Sequence, residues 1–148
     1  MSNAGSVVHE GGCLCGAVRY EVRGAPVRSG LCHCLDCRKT SGSLYAAFAV
    51  WKADDFSSRG EIAVYGNRGF CPRCGSRIAW VNDGEAEVSL GSMDDAPIDI
   101  LPDYELWVGR RESWLHALPW ADQFGGDRTD AGGEPIPPLG APRVRKPG

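Results

Sequence analysis

The sequence predicts a small, mainly β fold: one antiparallel domain with only short helical turns. Two observations lead there. Apolar residues come in short runs of strand length, and no stretch keeps a 3.6-residue apolar period over three helical turns. With 148 residues the chain suits a single domain. A third feature asks for its own explanation: seven cysteines, all of them clustered.

Taken in chain order, residues 1–8 begin small and polar and are expected to be a flexible N-terminus outside the fold. Ala17 to Arg23 alternates Val18, Tyr20 and Val22 with Arg19, Glu21 and Arg23, the pattern of a half-buried strand. Leu44 to Trp51 is apolar at nearly every position, and its eight residues read as a strand buried on both faces. Ile62 to Tyr65, Arg77 to Val81, Glu87 to Leu90 and Tyr104 to Val108 are further short strands between Gly, Asn-Asp or Pro punctuation. Helix is expected only at Asp36 to Ser41 and at Glu112 to Leu118, the latter stopped by Pro119. Residues 9–124 thus form the domain. Residues 125–148, rich in Gly and Pro and poor in apolar side chains, form an irregular tail.

Composition excludes several roles. No apolar run approaches the roughly 20 residues of a membrane helix. Sixteen basic against nineteen acidic side chains give −3, which argues against nucleic-acid binding by a globally basic surface. The first residues lack a basic start followed by an apolar stretch, so a cytoplasmic location is expected.

The cysteines form Cys13-Leu14-Cys15, Cys32-His33-Cys34-Leu35-Asp36-Cys37 and Cys71-Pro72-Arg73-Cys74. A disulfide framework needs an oxidising compartment, and an odd number leaves one thiol over. A redox Cys-X-X-Cys would open a helix after a strand, whereas Cys74 is followed by Gly75 and a strand pattern. Metal binding accounts for all of them. Cys13 and Cys15 share one face of an extended segment, and Cys71 and Cys74 flank a tight turn. These four are expected to close a structural zinc site.

Cys32, Cys34 and Cys37 remain, and three protein ligands with one open position is the arrangement of a catalytic zinc. The competing reading is a second structural site completed by His33, Asp36, or a distant His9 or His116. His33, between two ligands, would face the opposite way in an extended strand, and Asp36 has an alternative use as a helix cap. Ligand number favours the open site.

Three stretches together resemble one family. Gly11-Gly12-Cys13-Leu14-Cys15-Gly16-Ala17-Val18-Arg19-Tyr20, then Cys32 to Lys39 with Ser41-Gly42, then Phe70-Cys71-Pro72-Arg73-Cys74-Gly75 are similar to the motifs of the glutathione-dependent formaldehyde-activating enzymes. That family also includes centromere protein V. Gly91 to Asp95 and Trp107 to Trp114 resemble weaker landmarks. The resemblance implies a fold related to that of methionine sulfoxide reductase B. It also implies two zinc ions per chain: one structural on Cys13, Cys15, Cys71 and Cys74, one catalytic on Cys32, Cys34 and Cys37. The implied activity is that of a carbon–sulfur lyase like S-(hydroxymethyl)glutathione synthase, with a glutathione-like thiol and a small aldehyde as partners. Where family members commonly carry a His in the late strand, this chain has Tyr104-Glu105-Leu106-Trp107.

A zinc held by three thiolates still accepts a fourth ligand, either a substrate thiol as thiolate or an aldehyde oxygen, and the sequence does not choose between them. Arg38 and Lys39 are candidate anchors for glutathione's carboxylates, against the reading that they are solvated. Tyr45, Phe48 and Trp51 are expected in the core rather than a cleft. Asp94 and Asp95 read as a turn or cap. Two other functions stay in view. One is a non-catalytic binding module with two structural zincs, which the tail's few cations, Arg128, Arg143, Arg145 and Lys146, speak against. The other is a thiol reductase, which would need a free cysteine outside the clusters.

Overall fold

The structure is a computed structural model that describes residues 7–148. Its strands are β1 (Val8–Gly12), β2 (Arg19–Arg23), β3 (Arg28–Cys32), β4 (Ala46–Lys52), β5 (Phe56–Arg59), β6 (Ala63–Tyr65), β7 (Arg68–Phe70), β8 (Ala79–Val81), β9 (Glu85–Ser89), β10 (Tyr104–Leu106) and β11 (Asp122–Gln123). The single α-helix among the described residues, α1 (Leu35–Ser41), lies between β3 and β4. The mainly β class holds. Most residues of the expected N-terminal arm lie outside the described residues, and Val8 already belongs to β1.

The chain divides into two units, each made of two segments. One comprises the chain up to Arg28 together with Phe48–Ile100; the other comprises Ser29–Ala47 and Leu101–Gly148.

In the first unit β1, β2 and β5 form an antiparallel sheet, with β2 in the middle. The alternation read for β2 is real: Tyr20 and Val22 are buried between half-buried or exposed charged residues. Gly11 pairs with Tyr20, and a Cβ at Gly11 would sit 2.4 Å from the Tyr20 hydroxyl oxygen. Glycine is therefore what lets the tyrosine ring lie across β1. Residues 48–52 of β4 pair antiparallel with β9, which pairs with β8. Trp51 stands opposite Ala86, a small neighbour that makes room for the buried indole, whose Nε1–H donates to the Gly24 carbonyl at 3.0 Å. Ala49, Val50 and Trp51 are buried in succession, so both faces are covered only over the second half of β4. Val18, Val22, Ile78, Ala86 and Val88 complete this core at full burial. Burying each larger aliphatic side chain contributes about 1.5–3 kcal/mol.

The second unit holds β3, β10 and β11, and here the pairing is parallel: β10 runs alongside both β3 and β11. Tyr104 and Phe124 meet edge to face at 6.1 Å. The expected helix at Glu112 to Leu118 does not form; this stretch contains only turns. Leu115 N–H bonds back to Glu112, and Leu118 N–H is taken by a side chain, Glu105 Oε2, at 2.7 Å. Diverted in this way, the backbone has no i→i−4 ladder to propagate. Residues 125–148 contain no helix or strand beyond an isolated bridge between Thr129 and Pro135. They are nevertheless tied down: Leu139 N–H donates to Gln123 O at 2.7 Å, Arg143 N–H to Pro119 O at 2.8 Å, and Lys146 pairs with Asp103.

Candidate metal centres

The sulfurs of Cys13, Cys15, Cys71 and Cys74 all lie within 4.8 Å of one another. Two similar loops in the first unit place them. After β1, Gly16 N–H returns to Cys13 O at 3.2 Å; after β7, Gly75 N–H returns to Cys71 O at 2.8 Å. Both glycines have left-handed backbones, φ +83° and +81°, a region in which a side chain would be strained. The turns aim amide N–H groups at sulfur. Val18 N–H reaches Cys13 Sγ at 3.3 Å, and Arg73 and Cys74 N–H reach Cys71 Sγ at 3.3 and 3.4 Å. Cys13–Cys15 and Cys15–Cys71 sulfur separations are 3.6 and 3.8 Å. A tetrahedral ion with bonds of about 2.3 Å requires sulfur–sulfur distances of about 3.8 Å.

Sequence reasoning missed Ser76. Its hydroxyl accepts from Leu14 N–H at 3.0 Å and lies 3.2 Å from Cys74 Sγ, joining the two loops. The Ser76 hydroxyl and backbone lower the Cys74 thiol to about 5. The hydrogen bond from the Ala17 backbone lowers Cys15, but partial desolvation and its three cysteine neighbours together outweigh it and raise the thiol to about 11. Such opposed shifts are expected where thiolates crowd together and only a cation lets all four ionise.

The second cluster lies in the second unit. Cys32 ends β3, Cys34 is the N-cap of α1, and Cys37 lies in its first turn. Their sulfurs also fall within 4.8 Å of one another. Cys34 Sγ accepts from Cys37 N–H at 3.3 Å, so the cap is a thiol, not the carboxylate of Asp36. Interaction with Cys37 and burial both push the Cys32 thiol up. Among the described residues no His, Asp or Glu joins either cluster. Both can hold a metal ion, and an all-sulfur donor set suits zinc.

None of the four other candidates for completing the second cluster joins it. His9 is buried, with Nε2 2.8 Å from Asp99 Oδ1. His116 and Asp36 are exposed. His33, the residue after β3, is buried, with Nε2 2.8 Å from Oε1 of the equally buried Glu105 and its ring 5.5 Å from Tyr45. Glu105 is the second residue that sequence reasoning missed. Burial pushes its carboxyl up, but hydrogen bonds from His33, Gln123 and Leu118 N–H, with the Arg111 charge, prevail and lower it to about 2. Its only signal in the sequence was a carboxylate in an otherwise apolar strand pattern.

Arg38 is neither a free anchor nor simply solvated. It pairs with Glu112 at 2.7 Å and donates to Arg110 O at 3.2 Å. Lys39 and Arg110 are exposed. Asp94, read as a turn or cap, forms a two-pronged ion pair with Arg19.

A mainly β protein with two separate metal-competent cysteine clusters is the class that fold and site define. The glutathione-dependent formaldehyde-activating enzyme profile matches residues 8–110, and this chain belongs to that family. A Halomonas elongata protein named "Putative glutathione-dependent formaldehyde-activating enzyme" is 38% identical across 50% of this chain and 55% of that protein, so the match spans about half the relative's length. A crystal structure of a Rhodobacter sphaeroides protein aligns at 23% identity with a TM-score of 0.46, over 59% of this chain and 89% of that one. No helix among the described residues is long and apolar enough to cross a membrane.

Proposed function

We propose that the protein is a zinc-dependent carbon–sulfur lyase-type enzyme that joins or releases a glutathione-like thiol and a small aldehyde. In this reading two zinc ions bind per chain. Cys13, Cys15, Cys71 and Cys74 hold a structural ion, and Cys32, Cys34 and Cys37 hold the one used in catalysis. The observation that carries the proposal is the count of sulfurs: four in one cluster, three in the other. Four thiolates close a tetrahedron, while three leave a position to exchange.

Zinc in the three-cysteine cluster supplies a positive centre and an open position that lowers the pKa of a bound thiol or polarises a carbonyl. The reaction itself is an addition. The thiol sulfur's lone pair forms the new carbon–sulfur bond, the carbonyl π pair moves to oxygen, and the proton lost by sulfur ends on that oxygen. Release is the same step reversed.

The chain's own residues bind and orient. Lys39, two residues after Cys37, and Arg110, whose carbonyl is tied to Arg38, are exposed cations suited to the two carboxylates of glutathione. His33 and Glu105 fix the loop that carries Cys32 and Cys34. We take residues 9–124 as the working domain, with 125–148 as an accessory tail, acting in the reducing cytoplasm where thiols persist.

The test is formation of the S-hydroxymethyl adduct from glutathione and formaldehyde, followed by NMR against the spontaneous rate. Acceleration by the zinc-loaded protein, lost on Cys37→Ser, supports the reading. No acceleration by fully metallated protein contradicts it and favours a binding module with two structural zincs.

A further inference from the structure

We infer that Glu105 is the positioning residue of the three-cysteine cluster, acting through His33. The inference rests on the metal-centre reading above and adds a residue that carries no ligand atom.

Glu105 is 1% exposed and its carboxylate meets four donors. These are His33 Nε2 at 2.8 Å, Leu118 N–H at 2.7 Å, Gln123 Nε2 at 3.0 Å and Arg111 Nη2 at 3.3 Å. His33 sits between Cys32 and Cys34, and among the described residues Glu105 alone hydrogen-bonds its ring, the buried Nδ1 having no partner there. Its backbone N–H bonds to the carbonyl of Leu106, the next residue after Glu105, at 3.0 Å. Main chain and side chain of β10 therefore grip one residue, and that residue carries a cysteine on each side. Through its other donors the same carboxylate fastens the turns after β10 and the strand β11, so the ligand loop is clamped to the whole second unit. A buried carboxylate with this many donors is costly to replace, because an amide in its place offers fewer acceptor sites and adds N–H groups facing N–H groups. The effect on the metal is that of an outer partner that orients a ligand without touching the ion.

The experiment uses Glu105→Gln and, as a milder change, Gln123→Ala, which removes one donor. Zinc-loaded wild type and variants are mixed with a chromophoric chelator, and metal release is followed alongside near-ultraviolet circular dichroism. Wild type should release two metals in two phases, one from each cluster. In Glu105→Gln the phase from the three-cysteine cluster should accelerate about 10–100-fold while the four-cysteine phase keeps its rate. Gln123→Ala should shift the same phase in the same direction by less; it settles the matter if Glu105→Gln does not fold. Unchanged rates, or equal acceleration of both phases, would overturn the positioning role. A wild type that releases only one metal would instead sink the two-centre reading, and the inference with it.

Discussion

His33 Nε2 lies 2.8 Å from Glu105 Oε1, and the two side chains are 2% and 1% exposed. The residue between Cys32 and Cys34 is thus half of a buried histidine–carboxylate pair.

The two clusters should respond differently to loss of a thiol. Cys71→Ser should remove one metal and lower the melting temperature sharply, since its ligands join loops 56 residues apart and metal binding there adds to folding free energy. Cys34→Ser should remove the other metal, cost activity about 100-fold or more, and leave the melting temperature much less affected. Metal analysis with differential scanning calorimetry checks both.

Glutathione should be recognised by its carboxylates. Lys39→Ala and Arg110→Ala should each raise KM for glutathione about tenfold with little change in kcat, roughly 1.4 kcal/mol of binding per site. Neither should alter the KM for 2-mercaptoethanol, which has no carboxylate. Equal effects on both thiols would remove these residues from the substrate site.

Gly60 is a glycine whose replacement should be felt clearly, because conformation and space both oppose a side chain. Its φ is +91°, and a Cβ there would lie 2.1 Å from the Ala17 carbonyl oxygen, a backbone atom. Gly60→Ala should destabilise the protein by at least about 2 kcal/mol in urea unfolding. Gly84→Ala, with open space around the added methyl, serves as the control.

Tyr20 supplies an alkaline limit. Burial raises its hydroxyl to about 12, the hydrogen bond with Ser92 pulling slightly the other way. A folded-state value above the unfolded value of 10 means the contribution is complete below pH 10 and lost as pH rises towards 12. The loss reaches about 3 kcal/mol. Tyr20→Phe should flatten stability over that interval and remove one component near pH 12 from the tyrosinate absorbance titration.

The grouping of cysteines was legible because metal ligands come in short spacings that survive without any tertiary information. Glu105 was not: its partner is 72 residues away, and no local pattern announces a long-range hydrogen bond. β2 was readable from its alternation. β3 was not, since Arg28-Ser29-Gly30-Leu31-Cys32 has no period, and its strand form is set by the parallel register with Tyr104, Glu105 and Leu106. The helix expected at Glu112 to Leu118 is replaced by a turn closed by Leu115 N–H on Glu112 O, with Leu118 N–H given to Glu105. Arg38 was weighed as a substrate anchor or a solvated charge; Glu112, far along the chain, made it an ion pair.

The central claim is that seven thiols divide into a closed and an open centre. Zinc analysis with X-ray absorption on the full chain tests it most directly. The account predicts two zinc ions per chain with an average of about 3.5 sulfurs each and a lighter, exchangeable ligand on half of them. One zinc per chain, with Cys32, Cys34 and Cys37 metal-free and open to alkylation, would contradict it.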